Sequence, residues 1–215
     1  MKSLQFSFLD KKIDFRIQKI LELIGRNKTV LDLGCQDGSI TKLIKQQNNL
    51  VYGIDISIEA IRLAKKSGIK IYKLDLENKF PRYLYNRFNI VFAGEIIEHI
   101  YDTDKFLENI REVLKEKGNL IITTPNVATF GRRLMLLFGQ NPLLETRLGE
   151  NNSGHIRYFT FKTLIKLLER HHFKITDKFS TVVNFDNQGR YQSRIVAMLF
   201  PTLGSTIIIK VVKNS

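Results

Sequence analysis

One cysteine, Cys35, stands in the whole of this 215-residue chain, so no intramolecular disulfide can support the fold and no oxidising compartment is required. Long apolar runs are missing too. None approaches the ~20 residues of a membrane span, and the first ten residues show neither the apolar core nor the cleavage-like site of a signal peptide. The expectation is a cytoplasmic protein. Acids are also scarce: Lys and Arg number 34 against 21 Asp and Glu, a formal net charge of +13. Such a charge attracts nucleic acid, anionic lipid or phosphate-bearing substrates. Yet no run of eight like charges and no RGG-type tail collects it into a nucleic-acid arm, and no internal repeat or low-complexity tract is present. What remains, 43% hydrophobic and 26% charged residues, is ordinary globular usage, enough for one domain over 1–215 with a proper core.

Ile13, Ile17, Ile20, Leu21 and Ile24 share one helical face ahead of Gly25, which makes 1–27 an N-terminal helix region. Strands are then expected at 29–33, 50–55, 71–75, 90–93 and 120–124, alternating with helices at 38–47, at 58–66 after the N-cap Ser57, and after Asp102 or Thr103. Five alternations argue a doubly wound parallel sheet. Beyond a helix at 161–171, the runs 174–183 and 205–212 read as a terminal strand pair, with a short helix at 195–200 in the connection. The fold class is therefore α/β, a Rossmann-like sheet of about seven strands, five parallel plus a C-terminal antiparallel pair.

The first strand stops in the loop Asp32-Leu33-Gly34-Cys35-Gln36-Asp37-Gly38, which opens into the second helix. It lacks the glycine at 36 and the small residue spacing of a dinucleotide fingerprint. As Asp-x-Gly-Cys-x-x-Gly it resembles motif I of the class I S-adenosylmethionine (SAM) methyltransferases. Three successive strands also end in an acid, Asp55, Asp75 and Glu95, with Asp32 and Asp37 beside the first turn. In open α/β sheets the ligand lies beyond the carboxyl ends of the strands. Acids there suit a ligand rich in cationic and hydroxyl donors, as SAM is, and suit a phosphate-bearing nucleotide poorly.

The resemblance implies SAM as cofactor, held through Asp32, Gly34, Cys35, Gln36, Asp37, Gly38, Asp55, Ile56, Asp75, Leu76, Ala93, Gly94 and Glu95. Within that set Asp55 would take the ribose hydroxyls, Ile56 the adenine face and Asp75 the adenine amine, with Leu76 beside it. Gly34, Ala93 and Gly94 would line the methionine part. Gln36 departs from the family's glycine, so its backbone either avoids positive φ or carries strain of roughly 1–3 kcal/mol.

For catalysis the notable stretch is Glu95-Ile96-Ile97-Glu98-His99, where helical spacing would put two carboxylates and an imidazole on one face. With His155 they could ligate a divalent metal, and the pattern resembles the ubiquinone-pathway O-methyltransferases and the small-RNA 2′-O-methyltransferases. Alternatively His99 or His155 is a base, with Glu95 towards the cofactor, or the turn is purely structural, with His99 a packed helix-start residue. His171 and His172, at a helix C-terminus, are read as structural.

The segment 126–160 is expected to lie over the active site as a lid, with Arg132, Arg133 and Arg157 meeting an anionic acceptor. It resembles methyltransferases of polysaccharide gene sets and MetW-like proteins. The functional expectation is an O-directed methyltransferase acting on a small-molecule, glycan or lipid-linked acceptor, with membrane-surface contact open. The alternatives are an RNA 2′-O-methyltransferase and a MetW-like SAM-binding partner without turnover.

Overall fold

A computed structural model describes residues 14–66, 68–142, 154–185 and 190–214. The first helix, α1 (Phe15–Ile24), begins where the Asp14 side chain accepts the Arg16 amide and stops at Gly25, whose φ of 74° ends the helical path. Next come β1 (Thr29–Leu33), α2 (Ser39–Gln46), β2 (Leu50–Asp55), α3 (Ile58–Lys66) and β3 (Lys70–Lys73). They are followed by β4 (Phe88–Gly94), α4 (Thr103–Val113), β5 (Leu114–Pro125) and α5 (Phe130–Leu137). The chain closes with α6 (Phe161–Arg170), β6 (Phe173–Phe179), β7 (Val183–Asn184), β8 (Gln192–Ser193), α7 (Arg194–Leu199) and β9 (Thr206–Lys213).

Seven strands form one sheet in the order β3-β2-β1-β4-β5-β9-β6, and β7 and β8 form a separate antiparallel pair. The first five pair in parallel. β9 runs antiparallel to both β5 and β6, between which it inserts. This is the doubly wound sheet expected, with β9 and β6 as its terminal pair. β1 lies between β2 and β4, so the direction of winding reverses there and opens a crevice at the carboxyl ends.

The sheet separates two apolar layers, and alternation along each strand decides which residue goes where. Val30, Val51, Ile90, Phe92 and Ile121 pack under α1 and α2 with Ile20, Leu21, Ile24 and Ile44. Their neighbours Leu31, Leu33, Val91, Ala93 and Ile122 face α4 and α6, against Phe106, Leu107, Ile110, Leu164 and Leu168. A central sheet buried on both faces holds the rim loops on a rigid support.

Several boundaries differ from expectation: the strand read over 174–183 ends at Phe179, and Val183 joins the separate pair as part of β7. Leu114 leaves the helix: it caps α4 with extended backbone and pairs with Phe88, so β5 begins several residues early. Lys117, at φ 58°, and Gly118 then make a bulge, because Phe88 faces Leu114 while Ile90 faces Asn119. β3 ends at Lys73, which leaves Asp75 in the following turn. Of the expected lid, the stretch 143–150 lies outside the described residues.

Candidate active site

At the end of β1 the amides of Gly34 and Cys35 both donate to the Ile54 carbonyl, at 2.8 and 3.1 Å, pinning the loop to β2. Gly34 sits at φ +69°, and a Cβ there would come within 2.1 Å of Ile96 Cδ1. Its glycine is therefore required twice, by conformation and by space. Gln36 takes the strained alternative, with φ 46°. Its amide donates to Asp55 Oδ2 at 2.8 Å, which offsets part of that strain. The second oxygen of Asp55 accepts the Ser57 amide at 2.8 Å, so one buried carboxylate organises the loops after both β1 and β2.

A cavity of ≈ 340 Å³ opens in this crevice; Gly34, Gln36, Asp55, Ile56, Asp75, Leu76, Ile96 and His99 are among its walls. Ile56 is 60% exposed there, an apolar face without cover. Asp75 Oδ1 accepts the Glu77 amide at 2.9 Å, which fixes the turn. Of the five rim acids read from the sequence, Asp55 and Asp75 are the two that line this cavity. Asp37 binds the amide and hydroxyl of Ser39 at 3.0 and 2.7 Å outside it, and these bonds hold its carboxyl below the usual range. Cys35 turns into the sheet beside Gly53, and burial, with Asp32 and Asp55 nearby, pushes its thiol up to about 12. It is an inert packing group. Ala93 is buried within β4, and Gly38 starts α2 from a left-handed conformation.

Asp32 lies beneath the loop, buried, with Thr41 Oγ1 donating to it at 2.6 Å. Burial pushes its carboxyl up to about 7, with Thr41 opposing and Asp55 adding to the rise. The folded state thus holds a proton that the unfolded chain releases near pH 4. Stability contributed by Asp32 is present below that pH and is lost as pH rises to about 7. Asp32→Asn is expected to flatten this decline, narrowing the stability gap between pH 5 and pH 8 by at least about 1 kcal/mol in denaturant titrations. Parallel profiles for the two proteins would contradict it.

After β4 the expected common face for Glu95, Glu98 and His99 does not form. Glu95 has φ 54°, which breaks the path before the single 3-10 turn Ile97–His99. Its carboxylate instead accepts from Thr123 Oγ1 at 2.7 Å and lies 3.5 Å from Arg16 of α1. Glu98 points the other way, into the protein, and is 1% exposed. Its Oε2 accepts from Thr124 Oγ1 at 2.9 Å, whereas Oε1 has no hydrogen-bond partner among the described residues.

His155 reaches this carboxylate because its own segment is clasped to the turn. The amides of Ile156 and Arg157 donate to the Glu98 carbonyl at 2.9 and 3.1 Å. His99 Nδ1 meets the Gly154 carbonyl at 3.1 Å. A carbonyl can only accept, so Nδ1 carries a proton there, and in the neutral ring Nε2 is the nitrogen with the lone pair. His155 Nε2 stands 3.9 Å from Glu98 Oε1, and the two imidazoles lie edge to face at 4.8 Å. One ligand atom each from Glu98, His99 and His155 falls within 4.8 Å of the others. Burial, above all, raises the Glu98 carboxyl to about 7, with Glu95 adding to the rise.

Arg16, Thr123 and Thr124 were missed from the sequence. The threonines had a usable signal, two hydroxyls ending an otherwise apolar strand; Arg16 had none near any motif. Arg132, Arg133 and Arg157 are not brought together. Arg132 donates to the Asn126 carbonyl, Arg133 to Ala128 and Thr202, and Arg157 to Ile100 and Tyr101. They brace main chain, and burial lowers Arg132 from its ordinary value. His171 pairs with Asp104 at 2.6 Å, the structural part expected of it.

The profile of the methyltransferase domain family matches residues 6–178. The chain belongs to the class I SAM-dependent methyltransferases. A ubiquinone biosynthesis O-methyltransferase of Pelagibacter ubique is 31% identical over 116 residues, 53% of this chain and 48% of that protein. The chain thus spans about half the length of the curated relatives it matches. A SAM-dependent methyltransferase from Mesorhizobium loti superposes with a TM-score of 0.63 at 15% identity, over 92% of this chain and 95% of the other. The 1,6-didemethyltoxoflavin-N1-methyltransferase of Burkholderia thailandensis, solved with S-adenosylhomocysteine bound, gives 0.62 at 18% over 94% and 78%. At such identities the methyltransferase shares their fold. Among its described residues no helix is long and apolar enough to cross a membrane.

Proposed function

We propose that this methyltransferase transfers a methyl group to an oxygen of a small-molecule or glycan acceptor, with Glu98, His99 and His155 at the acceptor end of the site. The observation that carries the reading is the buried Glu98 oxygen left without a hydrogen-bond partner beside two imidazoles. Leaving a buried carboxylate oxygen unpaired costs about 1–3 kcal/mol or more, so such an atom calls for a partner. A carboxylate and two imidazole nitrogens are a donor set for a divalent cation with open positions. The residues fit one, and Glu95, committed to Thr123 and Arg16, stands outside the set. The O-methyltransferase relatives agree with transfer to oxygen.

When bound, SAM supplies the electrophilic methyl group and the cation lowers the proton affinity of the acceptor hydroxyl. The chain aligns and excludes. Asp55 takes the ribose hydroxyls, Asp75 the adenine amine, and the exposed Ile56 the adenine face. Gly34, without a Cβ, lets main chain approach the methionine part. Arg16, turned by α1 onto Glu95, is the guanidinium placed for a carboxylate at that end. Alignment for in-line displacement is the main demand of the reaction. Segment 126–142 leaves β5 at this rim, and α5 buries none of its residues, which supports its expected place as a cover.

The test is metal analysis with a chelator assay. The purified protein is expected to carry about one divalent ion, chelation to abolish turnover, and Glu98→Gln with His155→Ala to lose the ion while SAM affinity stays within about twofold. Metal near zero with chelator-resistant turnover would remove the cation and leave a histidine base.

A further inference from the structure

We infer that α5 and α7 form a docking surface for an anionic lipid bilayer. On α5, Leu134, Leu137 and Phe138 share one face by their i, i+3, i+4 spacing, and Leu137 and Phe138 are each 75% exposed. On α7 the same spacing recurs in Ile195, Met198 and Leu199, at 72, 74 and 69% exposure. A single exposed leucine needs no explanation, but two neighbouring helices with the same bare face do.

The two helices belong to one surface. Arg133 of α5 donates to the Thr202 carbonyl in the turn after α7, and the Phe130 ring meets Phe185, next to β7, at 5.5 Å. Both lie at the carboxyl rim, since α5 follows β5 and α7 precedes β9, where Pro125 faces Thr206.

Charge decides the occupant. Residues 126–142 and 190–205 contain no Asp or Glu, while contributing Arg132, Arg133, Arg190 and Arg194. A second copy would bring two +13 bodies together, arginine against arginine, with no acid on these segments to answer. Anionic lipid answers both features at once: its headgroups take the guanidiniums, and its acyl region takes side chains that protrude from convex helices. An acidic protein partner would need a groove shaped to them, and a bilayer needs none. The inference stands apart from the acceptor chemistry proposed above.

Vesicle flotation tests it, using phosphatidylcholine alone and phosphatidylcholine with about a third phosphatidylglycerol. The full chain is expected to float with the anionic vesicles and to stay behind with neutral ones. Leu137→Ser, Phe138→Ser, Met198→Ser and Leu199→Ser together should lower partitioning at least about tenfold. S-adenosylhomocysteine affinity, measured in parallel, should not change and reports that the variant is folded. Equal partitioning by variant and parent, or no preference for anionic vesicles, would overturn the inference. So would light scattering that shows a dimer which the four serines dissolve, or capture by an acidic protein without lipid.

Discussion

Asp55→Ala is expected to weaken SAM and S-adenosylhomocysteine binding by about ten- to a hundredfold, the range that a lost charge-assisted hydrogen bond of about 1.5–3 kcal/mol sets. The carboxylate carries more than a ligand contact. Its two oxygens already accept the amides of Gln36 and Ser57, each at 2.8 Å. A carboxylate oxygen has lone pairs to spare, so the same group can hold both loops and a ribose diol. Alanine removes the diol partner and the acceptor of the Gln36 amide, one of the bonds that hold its φ of 46°. Asp55→Asn separates the two roles. It keeps one acceptor oxygen for an amide, presents an amide nitrogen to the other, and should fall between parent and alanine in calorimetric titration. Equal affinity in all three proteins would remove Asp55 from the cofactor site.

Gly34→Ala should be at least as damaging, for a steric reason. At φ +69° an alanine costs roughly 1–2 kcal/mol in backbone strain. Its Cβ would also sit 2.1 Å from Ile96 Cδ1, and the isoleucine can escape only into the cavity it helps to line. Overpacking of this kind adds about 1–3 kcal/mol. A fall in melting temperature together with loss of cofactor binding is the expected result. Gly34→Ala with Ile96→Ala should recover the packing part and leave the backbone part. If the single variant melts and binds as the parent does, the close approach at Gly34 carries no weight.

The parts of the molecule legible in the sequence are those set by local pattern. Val30 and Leu31 alternate to opposite layers, Gly25 ends α1, and acids at 55 and 75 follow short runs that mix β-branched and aromatic residues; each is a neighbour-to-neighbour rule. Leu114 shows where such rules stop. It continues the apolar spacing of α4, yet pairing with Phe88 offers a ladder bond that outweighs helix periodicity. β7 and β8, two residues each, have no period to read.

The candidate site divides in the same way. Glu98, His99 and His155 come near one another through main-chain bonds to the Glu98 carbonyl that no spacing announces. Glu95 leaves the group because a left-handed residue interrupts the turn, which helical counting assumes away. Arg16 comes to Glu95 across the fold, from a helix whose sequence shows only its buried face. Arg132 and Arg133 read as cations for an anionic acceptor, and the carbonyls they brace could be found only in three dimensions.

Hydrogen exchange on the full chain, with and without S-adenosylhomocysteine, measures the central claim directly. With the cofactor in the crevice proposed for it, along the loops after β1, β2, β3 and β4, slowed exchange is expected at 34–38, 55–57, 75–77 and 94–96, with 130–138 and 194–199 unchanged. Protection confined to α5 and α7, or spread evenly without those four loops, would contradict the placement of the cofactor at the β1–β4 switch point.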